Sequence, residues 1–260
     1  MTIDLGSTYA TYNYLSKNYT TALEQESKDP ATANDTAYFE ANIGSITSVD
    51  DLVGNYRLLN YVAKAYGLED MAYAKAYLKK VLNSDLTDST SFANKLTDDR
   101  FVAFASAFSY LQDGSTISSS TTETVVNKYL QQTMEDNAGS SDQGVQLALY
   151  FKRMASTVTS AYDILADTAM SQVVKTVLGL PDELSNADIE AQAKAITERL
   201  DVTDLQDSDK VDSLLKRFTV MWDVQNNSST DPVLQLFDSS SSDSVSADTL
   251  MSIVSLKYGG

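Results

Sequence analysis

Residues 51–70 align with residues 163–182 without a gap, sharing Asp51/Asp163, Val62/Val174, Gly67/Gly179, Leu68/Leu180 and Asp70/Asp182. The correspondence resumes at Asp85-Leu-Thr-Asp88 against Asp201-Val-Thr-Asp204. It appears again where Phe101, Phe104 and Phe108 match Val211, Leu214 and Phe218. A chain that repeats itself at this scale is constrained to stack related units, because one copy cannot cover its own apolar face. Duplication speaks to architecture and partner surfaces rather than to chemistry.

Helical periodicity fills the copies and the segments around them, with only three prolines to interrupt it. Strand alternation is not sustained anywhere. Tyr12, Leu15, Tyr19, Ala22 and Leu23 share one face of a helix expected over residues 7–26. After the polar stretch Glu26–Asn34, a short helix carrying Tyr38, Phe39 and Ile43 is expected to end near Gly44. Ser48-Val-Asp-Asp51 then opens the first copy as a capping-box variant. In both copies the first helix should stop at Gly-Leu, where glycine takes the left-handed cap conformation and leucine folds back on the last turn. The second helices are expected over Met71–Leu82, with Tyr73, Ala74, Tyr77, Leu78 and Val81 apolar-side, and over Ala187–Leu200. Thr87-Asp88 and Thr203-Asp204 read as turn and N-cap residues. The third helices should run from about Asp98 to Tyr110 and from Ser208 to Trp222.

Between the copies, a polar loop Asp113–Ser120 precedes a helix opened by the capping box Ser120-Thr-Thr-Glu123 and carrying Val125, Val126, Tyr129 and Leu130. A second loop, Asn137–Asp142, leads to a long helix in which Leu147, Tyr150, Phe151, Met154, Val158, Ala161, Tyr162 and Leu165 keep three-four spacing. This predicts the central strut, with too few heptads to prefer a partner-binding coiled coil over core packing. The expected fold is an all-α helical bundle of two degenerate three-helix repeats joined by a long helix, with N- and C-terminal helices. Residues 1–110 would hold the N-terminal helices and first repeat, 111–162 the connecting helices and 163–223 the second repeat, with 1–223 as one compact unit. The tail 224–260 is Ser/Asp-rich and expected to be mobile. Its last segment, Ser246–Tyr258, places Leu250, Ile253, Val254 and Lys257 at helical spacing, and either docks on the domain or waits for a partner.

Composition excludes most chemistry. Nineteen basic against thirty-six acidic residues leave a net charge of −17, which repels nucleic-acid phosphates and anionic membranes. No run approaches the roughly 20 apolar residues of a membrane helix, and the N-terminal residues lack the basic and apolar regions of a cleavable signal. With neither cysteine nor histidine, there is no disulfide, thiolate nucleophile, Cys/His zinc site or imidazole base. The lack of cysteine also fits a chain that leaves the cytosol unfolded and must not cross-link.

The remaining candidates each have a structural reading. Asp98-Asp99-Arg100 pairs carboxylates with a cation, yet aspartate at a helix start favours the macrodipole and the arginine can bridge locally. Asp201, Asp204, Asp207 and Asp209 offer oxygen ligands for calcium, but lack the glycine and terminal glutamate of an EF-hand loop. Lys75, Lys79 and Lys80 form a basic patch that reads first as a solvated helix face. The fifteen tyrosines, concentrated in the first third, pack at helical spacing more readily than they line a ligand groove. No catalytic, cofactor-binding or metal residue is assigned.

Arg57-Leu, Ala65-Tyr-Gly-Leu-Glu-Asp70, Lys79-Lys-Val-Leu-Asn-Ser-Asp85, Ser91-Phe-Ala-Asn-Lys-Leu96 and Asp99-Arg-Phe-Val-Ala-Phe-Ala-Ser-Ala-Phe108 resemble the domain of unknown function 1217 family of alphaproteobacteria. Thr36-Ala-Tyr-Phe-Glu-Ala-Asn-Ile43 and the degenerate second copy extend the likeness over most of residues 36–223. The resemblance implies a helical fold, domains often present more than once, and a place among flagellar genes. It brings no known activity and no functional residues. The expected function is a non-enzymatic helical interaction protein of the flagellar system, structural or assembly-related, with protein partners, flagellum-associated or cytoplasmic, and with export through the flagellar apparatus as one version of that reading. A cytoplasmic acidic adaptor unrelated to motility is the alternative, and a carboxylate or metal-dependent enzyme the remote one.

Overall fold

The computed structural model describes residues 3–226. The expected helix over Ser246–Tyr258 and most of the Ser/Asp-rich tail lie outside the described residues. Within them are thirteen α-helices and no strand, so the fold is all-α.

Caps explain where most helices begin. Ser7 opens α1 (Thr8–Lys17) by accepting the Ala10 amide at 3.1 Å. The single helix expected over 7–26 is instead broken at Asn18, whose backbone leaves the helical region before α2 (Tyr19–Ser27) begins. The Asn18 side-chain amide bonds the Tyr14 carbonyl at 2.9 Å, which satisfies the end of α1 and lets the chain turn. The expected polar stretch is also mostly helix. Asp29 caps α3 (Pro30–Ile43), and Pro30 sits at the first position, where its missing N–H costs nothing. Gly44 ends α3 as expected, but with a right-handed φ of −64°.

The paired segments then show the same local geometry twice. Ser48 caps α4 (Val49–Gly54) through the Asp51 amide, and Ser160 caps α10 (Ala161–Ala166) through that of Asp163. Asn55 caps α5 (Tyr56–Ala65) and Asp167 caps α11 (Thr168–Leu178). Gly67 and Gly179 close α5 and α11 at φ of 67° and 59°, and the next leucine amide reaches back to Ala63 at 2.8 Å and to Lys175 at 3.0 Å. Further on, Asp85 binds the amide and hydroxyl of Thr87, as Asp201 binds those of Thr203. Thr87 and Thr203 thus sit in turns as expected, with the preceding Asp85 and Asp201 as the acceptors, and Asp88 accepts the Thr90 amide at 2.8 Å.

A Cβ on Gly179 would meet nothing within 4 Å, whereas one on Gly67 would lie 3.4 Å from Arg100 Nη1 and 3.7 Å from Gln132 Oε1. Gly179→Ala is therefore expected to cost about 1 kcal/mol of left-handed strain. Gly67→Val, whose branched methyls also run into Arg100, is expected to cost about twice that. Urea midpoints of the two variants test this; equal, negligible shifts would contradict the cap assignment.

Several expected boundaries move. The second helix of the first copy starts late: Glu69–Met71 is a 3₁₀ turn and α6 is Lys75–Leu82, leaving Tyr73 78% exposed instead of on the apolar side. Its counterpart, α12, is Ile189–Thr197. The third helices are α7 (Asp99–Ala107) and α13 (Ser208–Asn226). Ser118, not Ser120, caps α8 (Ser119–Gly139), which extends through the first half of the expected second loop.

The expected strut is not one helix. α9 (Gln143–Met154) gives way to a 3₁₀ turn at Ala155–Thr157, and α10 restarts at the complete capping box of Ser160 and Asp163. α8 takes the strut's place. Its Val125 and Tyr129 belong to a first core with Phe39, Leu58, Val62, Leu78, Phe104 and Phe108. Its Met134 and Ala138 belong to a second core with Phe151, Ile164, Val174, Ile196, Leu215 and Phe218. Tyr12, Leu15 and Ala22 join the second core, so α1 and α2, grouped by chain order with the first repeat, pack against the second.

Gly144, at the start of α9, lets three elements of the second core meet. A Cβ there would fall 2.3 Å from the Trp222 ring and 2.7 Å from Thr8 Cγ2. Gly144→Ala is expected to cost about 1 to 3 kcal/mol through overpacking, read as a lowered melting midpoint. An unchanged midpoint would show that the buried Trp222 ring moves freely.

Candidate functional site: the polar seam between the two cores

Where α8 passes from one core to the other, its side chains turn polar. Glu135 is only 1% exposed and would be costly to bury alone. Arg153 of α9 meets it with two parallel bonds, Nε to Oε1 at 2.7 Å and Nη2 to Oε2 at 2.6 Å. Burial nevertheless holds the Glu135 carboxyl above its ordinary range, an effect that the guanidinium only partly offsets. Arg153 also donates to Gln132 Oε1 at 3.2 Å and lies over the Tyr150 ring at 5.1 Å.

The network reaches helices of both cores. Asp136 accepts from Gln132 and Gln146 at 3.0 and 3.2 Å and pairs with Lys64 of α5 at 3.1 Å. Lys64 in turn lies 3.4 Å from Glu69. On the second-core side, the Tyr150 hydroxyl donates to Asp167, the N-cap of α11, at 2.5 Å. Burial, reinforced by that carboxylate, pushes the Tyr150 hydroxyl up. Gly67, Glu69, Asp70, Gln132 and Asp136 line a shallow depression of about 370 Å³ above the seam. Away from it, Glu26 binds Thr32 and Asn137 at 2.9 and 3.0 Å, fixing α2 to α3 and α8.

The residues singled out from sequence take local roles. Asp98 caps α7, and Arg100 grips it with Nε at 2.9 Å and Nη2 at 2.7 Å while donating to the Gly67 carbonyl at 2.6 Å. Burial works against the Asp98 charge, but these bonds outweigh it and keep the carboxyl below its usual range. Arg100 thus ties the third helix of the first copy to the cap of its α5.

Asp201 and Asp207 accept amides in turns and Asp204 pairs with Lys210 at 2.5 Å. Among the described residues no three acidic groups converge on a metal-sized site. Lys79 pairs with Asp50, Lys80 lies 4.1 Å from the Phe92 ring, and Lys75 lies 5.8 Å from the Tyr56 ring. The tyrosines divide: Tyr61 stacks between Phe39 and Tyr129 at 4.5 and 3.8 Å, while Tyr9, Tyr14, Tyr56, Tyr73 and Tyr162 face solvent.

The seam was not found from sequence. Glu135 and Arg153 lie on different helices, and no spacing rule links them. The nearest signal was a carboxylate between Met134 and Ala138, inside a helix that must bury both. Chemically the seam groups are occupied with one another, so the arrangement joins the two cores.

These features define a class: an all-helical scaffold of two apolar cores bridged by one long helix and a polar seam. The chain belongs to the family described as protein of unknown function (DUF1217), whose family model matches residues 65–211. It is similar to the crystal structure of protein AGR_C_984 from Agrobacterium tumefaciens, a structural-genomics target, at 40% identity and a TM-score of 0.75, covering 87% of this chain and 97% of that one. No curated protein matches the chain. No helix among the described residues is long and apolar enough to cross a membrane.

Proposed function

We propose that the protein is a non-enzymatic scaffold of two sister modules that binds other proteins of the bacterial flagellar system, in the structure or during its assembly. The observation that carries the binding role is a pair of exposed aromatics on the first module. Tyr56 and Tyr73 are 58% and 78% exposed, and Lys75, two residues beyond Tyr73, reaches over the Tyr56 ring. Exposed tyrosine is a residue that interfaces favour, because a rigid, amphipathic ring loses little entropy on contact. The net charge of −17 directs the protein towards protein surfaces rather than phosphate-rich ones. The flagellar assignment comes from the gene context implied by the family resemblance.

Deleting the gene in a flagellated alphaproteobacterium that carries it is expected to impair swimming, with the protein recovered in purified flagella, in the culture fluid or bound to flagellar components. Recovery solely from cytosol with unaltered swimming would overturn the flagellar reading and leave the acidic adaptor.

A further inference from the structure

Val220 and Val224 are 50% and 63% exposed one turn apart on α13, a spacing that places them on the same face. Asp223, beside Val224, accepts the backbone amides of Thr8 and Tyr9 at 2.8 and 3.1 Å. The apolar strip therefore continues onto the start of α1, where Leu5 and Tyr9 are also exposed. One turn earlier on α13, Lys216 and Arg217 face solvent. Among the described residues neither takes part in an ion pair.

The chain that follows α13 has a matching composition. Asp231, Asp238, Asp243 and Asp248 come first, and Leu250, Ile253 and Val254 follow at three-four spacing. We infer that residues 246–258 of this same chain cover the strip, setting Leu250, Ile253 and Val254 against Val220, Val224 and Tyr9, with the aspartates before them facing Lys216 and Arg217. Reach is sufficient: residues 227–245 extend up to about 60 Å, twice the roughly 28 Å length of α13. Tethering one residue beyond the strip's own helix also makes the encounter intramolecular, so a modest apolar contact is enough to populate it.

Hydrogen exchange of the full-length protein, read by mass spectrometry, tests the inference. Amides of 246–258 are expected to exchange about tenfold or more slowly than an unstructured chain of that sequence. Val220→Asp with Val224→Asp, and separately Leu250→Asp, should each abolish that protection while both cores stay protected. Leu250→Asp should in addition speed exchange at the end of α13. Three results would overturn the inference: unprotected exchange of 246–258 in the wild type, protection that survives Val220→Asp with Val224→Asp, or protection that grows with protein concentration and so reports the tail of a second copy.

Discussion

Arg153→Ala is expected to lower the free energy of unfolding by about 3 to 5 kcal/mol, the cost of leaving a buried carboxylate without its partner. Glu135 is almost fully enclosed, and both of its oxygens are taken by the guanidinium, so little solvent is at hand to replace the lost bonds. The deficit should depend on pH. Burial already raises the Glu135 carboxyl above its ordinary value of 4.5 in the folded protein, and loss of Arg153 raises it further. A group with a raised folded pKa binds protons more readily folded than unfolded, so its unfavourable burial is fully felt above the folded pKa. It is relieved as pH falls through that value towards 4.5. Urea titrations of wild type and variant should therefore diverge most near neutral pH and converge on acidification. Glu135→Gln added to Arg153→Ala should recover part of the loss at neutral pH, because an amide is cheaper to bury than a charge. A pH-independent deficit that the second substitution does not relieve would mean that Arg153 acts through packing alone.

Phe108→Ala is expected to cost about 3 to 5 kcal/mol, as truncating a fully buried aromatic does when its surroundings collapse only in part. Phe108 lies against Phe104 at 5.3 Å and edge-on to Tyr66 at 6.1 Å, so the cavity would open among rings with few ways to refill it. Phe218, its partner in the sequence alignment, is equally enclosed in the second core, and Phe218→Ala should cost a similar amount. Thermal and urea unfolding of the two variants check both figures. A loss below about 1 kcal/mol in either would show that the core relaxes around the missing ring.

The sequence was most legible where structure is set locally. Gly67 and Gly179 announce their caps because a left-handed residue followed by leucine has few other uses, and Asp98 reads as a helix start for equally local reasons. The expected strut and the observed break differ for a physical reason. Val158 and Ala161 are buried in the same core as Phe151 and Ile164, so the three-four pattern runs unbroken across a chain that leaves the helix between them. The break was signalled by Ser160 and Asp163, three residues apart like Ser48 and Asp51. α8 gives one stretch to each core and a polar stretch to the seam, which blurs any single apolar face in its sequence. The seam itself depends on a pairing between helices, to which periodicity is blind.

The proposed account rests on two modules that each close their own core and are joined through α8, its polar seam and the Glu26–Thr32 link between α2 and α3. Native-state hydrogen exchange of wild type and Phe108→Ala, followed residue by residue, tests this most directly. The account predicts that opening free energies fall across residues 49–111 and the first half of α8, while those of α9 to α13 hold. A uniform fall across both cores would contradict it, because the two would then be one cooperative unit.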